Sequence, residues 1–115
     1  YDGHCRTIPL EQGKLRRQNG EPCVVRFRMP RSSVTSVKDV LRGEIKFDNT
    51  QLEDFVLLKT DGIAVYHLAA MVDDHLMHVT HVIRGDEWLS SLPKHALMLR
   101  AFGWQEPVWC HISIL

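Results

Sequence analysis

The stretch from Tyr66 to Trp88, YHLAAMVDDHLMHVTHVIRGDEW, changes its hydrophobic period within a few turns of chain. Leu68, Met71, Val72, His75, Leu76 and Val79 recur at the three-to-four spacing of a helix buried on one side. Thr80-His81-Val82-Ile83 then reads as a short buried strand, with Arg84 at its exit and Gly85-Asp86-Glu87 turning away from it. A second helix is predicted from about Glu87 to Phe102, because Leu89, Leu92, Ala96, Leu99 and Phe102 form one stripe. Asp86 is a candidate N-cap and Gly103 a candidate C′ residue, and Pro93 lies near the first turn, where a lost donor costs least. Val108 to Leu115 reads as a closing strand. Helix, strand, helix, strand in this order is a parallel α/β unit, and such sheets place ligand crevices at the carboxyl ends of their strands.

Upstream of this unit the pattern is strand-rich. Pro9 to Gln18 is predicted as a short polar helix stopped by Asn19-Gly20. Cys23 to Met29 alternates, with Val25, Phe27 and Met29 on one face and Arg26 and Arg28 on the other. Val37–Val40 and Glu44–Phe47 read as strands around Leu41-Arg42-Gly43, and Asp48-Asn49 as a turn. Phe55–Leu58 is an apolar strand, and Thr60-Asp61-Gly62 signals a hairpin into Ile63–Val65. The change of pattern near Gly62–Tyr66 divides the chain into residues 1–65 and 66–115.

Net charge is zero, with 14 basic and 14 acidic residues, so no overall field draws this chain to a polyanion. Nucleic-acid contact would have to come from a local patch. No apolar run reaches the ~18 residues a membrane span needs, and no signal peptide is visible. Cys5, Cys23 and Cys110 are odd in number and widely spaced, which argues for a reducing compartment rather than a disulfide framework. A start at Tyr1 and an end on the apolar Ile112-Ser113-Ile114-Leu115 are expected of an internal fragment.

The residues that carry chemistry each have a plainer reading. Asp73, Asp74, His75, His78 and His81 have the composition of a metal site, but His81 begins a strand and no H-E-x-x-H spacing is present. The alternative is that Asp74 and His75 cap or orient the end of a helix. Arg84 can receive a carboxylate in its planar fork, or can pair with Asp73, Asp74, Asp86 or Glu87. Glu87 suits the first turn of a helix through the helix dipole, and Trp88 and Tyr66 suit a core. Arg26, Arg28, Arg31, Lys38 and Arg42 make the first region locally basic, diluted by Asp39, Glu44 and Asp54. That patch is either a solvated face or a phosphate contact.

The pieces YDGHCR, EPCVVRFRMP, VKDVLRGEIKFDN, LLKTDGIAVYHLA, VDDHLM, THVIRGDEW and AFGWQEPVWCHISIL, in this order, resemble the bacterial and organellar glutamyl-tRNA synthetases along nearly the whole chain. The resemblance implies an α/β fold: the second half of a Rossmann-type class I catalytic domain (66–115), preceded by a partial strand-rich α+β connective domain (1–65) that meets the tRNA acceptor arm. It implies that Tyr66, Ala70 and Arg84 line a glutamate pocket and that Glu87, Trp88 and Leu115 lie beside ATP. Arg26, Arg28 and Arg42 would touch tRNA. Some relatives carry Asn where this chain has Ala70, so a side-chain hydrogen bond is lost there. Thr7 stands where some relatives place a zinc ligand, so no zinc is expected.

The implied substrates are L-glutamate, ATP with Mg2+, and tRNA(Glu), with no membrane and no DNA partner. The implied setting is a full-length monomer in the bacterial cytoplasm, or in a mitochondrial or plastid matrix. The first catalytic half and the K-M-S-K-S-type loop are not in this sequence, so the fragment alone is expected to be inactive. Two rival readings are a glutamyl-queuosine-type paralogue that glutamylates a modified tRNA base, and a noncatalytic RNA-binding or assembly module.

Overall fold

The computed structural model describes residues 1–31 and 33–114. A two-stranded ribbon pairs β1 (Val25–Arg26) with β4 (Val56–Leu58). β2 (Val34–Asp39) and β3 (Gly43–Asp48) form an antiparallel hairpin, and β5 (His81–Gly85) runs parallel to β6 (Val108–Ile112). β2 joins β6 in parallel through the single pair Asp39 and Trp109, which makes one four-stranded sheet in the order β3-β2-β6-β5. Among the described residues three α-helices complete the fold: α1 (Leu10–Gln18), α2 (Tyr66–Leu76) and α3 (Leu92–Phe102). Among the described residues no helix is long and apolar enough to cross a membrane.

The core gathers Met29, Val37, Phe55, Met71, Leu92, Ala96, Met98, Leu99 and Trp109, which come from α2, α3, the sheet and the segments around β1 and β4. The predicted stripe on α3 is buried at Leu92, Ala96 and Leu99, whereas Phe102 is exposed. α3 ends as expected at Gly103 with φ 72°, where Trp104 N–H returns to the Leu99 carbonyl and Gly103 N–H to that of Arg100.

Several sequence expectations are corrected. The strand after α2 is His81–Gly85 rather than Thr80–Ile83, because Arg84 and Gly85 still pair with His111 and Ile112. Arg84 is therefore inside the strand end, not beyond it. The expected helix from Glu87 to Phe102 is two pieces, a 3-10 segment Asp86–Ser91 and then α3. Pro93 has no N–H to return to the carbonyl four residues back, so α-helix begins only at Leu92, and Asp86 is not its cap. The alternating strand Cys23–Met29 shrinks to Val25–Arg26, with a register shift between those two residues. The second arm of the expected hairpin is one bridge, Leu58 to Ala64. The hairpin at 34–48 lies in the same sheet as β5 and β6.

His78, one of the histidines in the acidic cluster, stops α2. It takes φ 57°, the left-handed conformation usually given to glycine, while Val79 N–H reaches back to the Asp74 carbonyl (2.9 Å). Left-handed backbone costs an L-residue roughly 1–2 kcal/mol, and glycine's extra chain entropy costs about 0.5–1 kcal/mol. His78→Gly should therefore raise unfolding free energy by roughly 0.5–1 kcal/mol in denaturant titration. A loss of stability would show that the His78 ring makes a contact worth more than the strain.

Candidate functional site

Period-two alternation places Asp39, Val82, Arg84, Trp109 and His111 on one face of the sheet, the face on which α3 packs. Across this face a chain of hydrogen bonds runs through buried polar side chains. The Asp39 carboxylate, only 1% exposed, accepts Leu41 N–H (2.9 Å) and Arg42 N–H (3.0 Å) on one oxygen. Its other oxygen accepts His111 N–H (2.9 Å) and the His111 ring at Nδ1 (2.8 Å). His111 Nε2 faces Arg84 Nε at 2.9 Å, and Arg84 Nη1 faces His95 Nδ1 at 3.0 Å. His95 Nε2 meets His67 Nδ1 at 2.8 Å.

A guanidinium has donors only, so both imidazoles must accept from Arg84, and every proton on the chain is then placed. His111 carries its proton on Nδ1 and donates it to Asp39. His95 carries its proton on Nε2 and donates it to His67. The third guanidinium nitrogen, Arg84 Nη2, is buried and has no partner among the described residues. Nor do the salt bridges among the described residues include Arg84.

The electrostatics follow from burial. His95 is pushed down from its ordinary 6.5 to about 3, first by burial and then by the charges of Arg84, His67, Lys94 and His111 around it. His67 moves down for the same first reason, with Lys94 and Arg84 adding to it. Burial also lowers Arg84, opposed by Tyr66 and Asp74. Asp74 moves up through burial, with Arg84 opposing and Asp73 adding. Burial would raise Asp39, but the donors from His111, Leu41 and Arg42 outweigh it and hold the carboxyl below its ordinary range.

The residues singled out in the sequence fall into three groups. Tyr66, Arg84 and Trp88 come together: the Tyr66 and Trp88 rings lie 5.6 Å apart, and Arg84 Cζ sits 5.8 Å from the Trp88 ring and 5.4 Å from that of Trp109. Tyr66 is largely exposed at the start of α2, not the buried aromatic of the plainer reading. Ala70 lies one turn further along the same helix face. Glu87 folds its carboxylate over Gly85 so closely that a Cβ there would collide with Glu87 Oε2. Leu115 lies outside the described residues.

The three arginines assigned to tRNA do not form one free patch. Arg26 donates to the Asp54 carbonyl (2.7 Å) and stacks on Tyr1 at 3.9 Å. Arg28 is exposed and gives one bond to the Arg6 carbonyl (3.1 Å). Arg42 reaches the His111 carbonyl and Asp86 (both 3.3 Å) and Ser113 (3.2 Å), tying the hairpin to the end of β6. Among the described residues no group of three or more His, Cys, Asp or Glu converges as a metal site. His75 instead stacks flat on Trp104, ring centres 3.9 Å apart.

Asp39, His67, His95 and His111 were not singled out by the sequence reading. A signal existed: His95 interrupts the apolar stripe of α3, and His111 falls on the same alternating face as Trp109. Two hollows lie away from these residues, one lined by Arg17, Cys23 and Lys59, another by Lys38, Arg100 and Glu106.

The catalytic-domain model of the class I tRNA synthetases (E and Q) matches residues 1–115. This chain belongs to that family. It is 53% identical over 115 residues to a glutamate–tRNA ligase of Thermus thermophilus, covering 100% of this chain and 25% of the relative. It is 48% identical over 115 residues to the glutamate–tRNA ligase of Fusobacterium nucleatum, covering 100% of this chain and 22% of that one. A crystal structure of a glutamate tRNA ligase from Elizabethkingia meningosepticum, in complex with its amino acid, superposes with TM-score 0.87 at 38% identity, over 100% of this chain and 24% of that chain. The chain thus spans about a quarter of the length of the synthetases it matches.

The His95 shift makes a pH prediction. Between 6.5 and about 3 the unfolded chain binds a proton at this residue that the folded chain refuses. Stability from neutral His95 is therefore present above pH 6.5 and lost as pH falls toward 3. His95→Gln should flatten this stretch of the pH–stability curve, read by thermal melts across the window. An unchanged acid slope would mean that His95 is not the group that resists protonation.

Proposed function

We propose that the protein carrying this chain activates L-glutamate with ATP and transfers it to tRNA(Glu). The observation that carries the reading is Arg84: a half-buried guanidinium with one nitrogen unpartnered among the described residues, beside Trp88, whose ring meets that of Tyr66. An anionic ligand is the natural partner for such a group, since a charge-assisted bond to a carboxylate would satisfy the orphan donor. The named relatives are glutamate–tRNA ligases.

In the first step a glutamate carboxylate oxygen attacks the α-phosphorus of ATP, and pyrophosphate leaves with the electrons of the broken P–O bond. In the second a ribose hydroxyl of tRNA attacks the resulting mixed anhydride, its proton is lost to solvent, and AMP leaves. Nothing in this chain need act as a general base. Its role is positioning and electrostatic stabilisation. Arg84 would hold a carboxylate of the amino acid, Tyr66 would shape the pocket mouth, and Ala70 would set the pocket wall through its Cβ. Glu87 and Trp88, on the tight 3-10 turn, would lie beside the nucleotide, which brings its own Mg2+.

Contact with tRNA phosphates is assigned to Arg26, Arg28 and Arg42. Arg28, being exposed and singly bonded, keeps the most donors for it.

Two tests follow. In the full-length protein, Arg84→Ala should reduce kcat/KM for glutamate in ATP–pyrophosphate exchange (tRNA present) by roughly 2–4 kcal/mol of transition-state binding. Unchanged kinetics in a folded variant would remove Arg84 from the site. Arg28→Ala should lower the slope of log affinity for tRNA against log salt by about 0.7–0.9. An identical slope would place acceptor-arm binding elsewhere.

A further inference from the structure

The hydrogen-bond partners given to Arg84 are unusual in kind. A half-buried arginine commonly meets a carboxylate, which orients it and cancels its charge. Here both bonded partners are imidazoles. Each must be neutral at the nitrogen that faces the guanidinium, because that nitrogen accepts. His111 is held in the required tautomer from its far side by the Asp39 carboxylate, and His95 passes its own ring proton to His67. Asp39 and Asp74 lie in the neighbourhood without touching the guanidinium, Asp39 behind an imidazole and Asp74 on α2.

We propose that His67, His95 and His111, with Asp39 behind them, are positioning residues: a cradle of neutral acceptors that fixes the plane of Arg84 and leaves its charge uncancelled for the carboxylate of the amino acid. The proposal rests on the reading of Arg84 as a glutamate-binding residue. It adds that glutamate binding depends on the acceptors being uncharged as well as present.

A change of tautomer at either ring would set His111 Nε2–H or His95 Nδ1–H against an Arg84 N–H, donor against donor. Asp39 prevents this at His111, since its carboxylate can only accept. At His95 the Arg84 donor itself requires a bare Nδ1, and His67 then accepts the Nε2 proton. His67 touches neither Arg84 nor, through it, any ligand directly, so an effect of its loss on glutamate use would travel through His95.

The experiment compares four variants of the full-length protein: His95→Phe, His95→Gln, His95→Glu and His67→Phe. The readouts are KM for glutamate and KM for ATP in exchange with tRNA present, alongside melting temperature. Losing an acceptor to a charged donor should raise KM for glutamate by about tenfold or more in His95→Phe, with KM for ATP within about twofold. His95→Gln supplies a neutral carbonyl acceptor and should recover glutamate KM to within about threefold of wild type. His95→Glu keeps an acceptor but cancels the charge, and should bind glutamate no better than His95→Phe. His67→Phe should raise glutamate KM in the same selective way.

A folded His95→Phe with wild-type glutamate KM overturns the cradle, as does a His95→Glu enzyme that uses glutamate as well as His95→Gln. Should the Phe variant at His95 fail to fold, nitrogen-15 spectra of the histidine rings in the wild-type protein decide instead. They should show His95 protonated at Nε2 and bare at Nδ1, and His111 the reverse, and the opposite tautomers overturn the proposal. The Arg84→Ala result separates the two layers. If Arg84→Ala leaves glutamate KM unchanged, the binding assignment fails. If Arg84→Ala raises it and the histidine variants do not, only the cradle fails.

Discussion

The carboxylate of Asp39 is the joint on which this structure turns. β2 and β6 share a single register pair, so backbone bonding alone barely holds the hairpin to the parallel strands. Asp39 extends the seam by accepting the His111 backbone N–H and the His111 ring, while its other oxygen closes the turn at Leu41 and Arg42. A carboxylate removed from water carries a desolvation penalty of several kcal/mol, and only a full set of donors offsets it. With His111 held at Nδ1, its Nε2 lone pair has one direction left, toward Arg84. A turn near the middle of the chain thereby sets the orientation of the cation at the end of β5.

Arg84 breaks the rule that buried polar atoms find partners, and does so at one nitrogen only. Two of its bonds are made to neutral rings and its aromatic neighbours, Trp88 and Trp109, offer weaker cation–π contact. Local violations of polar satisfaction belong at functional sites, where the cost is recovered on binding. The raised Asp74 carboxyl and the lowered His95 imidazole fit the same picture: burial around Arg84 favours neutral groups beside one retained positive charge.

Much of the α/β unit was legible because its signals are local. The apolar stripe of α3, the left-handed Gly103 after it and the short strand before Arg84 can all be read within a few residues. Arg84 itself stood out as a cation at a strand end. The errors share a cause. Pro93 sat inside an otherwise helical stripe, and period alone did not say that six residues before α3 would wind as 3-10 helix. Asp39 was counted as a charge diluting a basic surface, yet it is among the most buried residues of the chain. Arg26 alternated like a solvent-facing strand residue, but its fork is used by the Asp54 carbonyl and the Tyr1 ring.

Sequence alone determined the order of the main elements, the parallel strand pair at the carboxyl end, and, through motifs in a fixed order, the synthetase family. These depend on periods of two or 3.6 residues and on words of a few letters, all short-range. Tertiary structure alone decided which buried donors met which acceptors. Asp39 and His111 are 72 positions apart, and Arg84 and His111 are 27 apart. No local pattern marks such pairs, because a histidine on an apolar face has the same period whether it is a filler of space or an acceptor for an arginine. Its tautomer, and so its role, is set only when the group on its far side arrives.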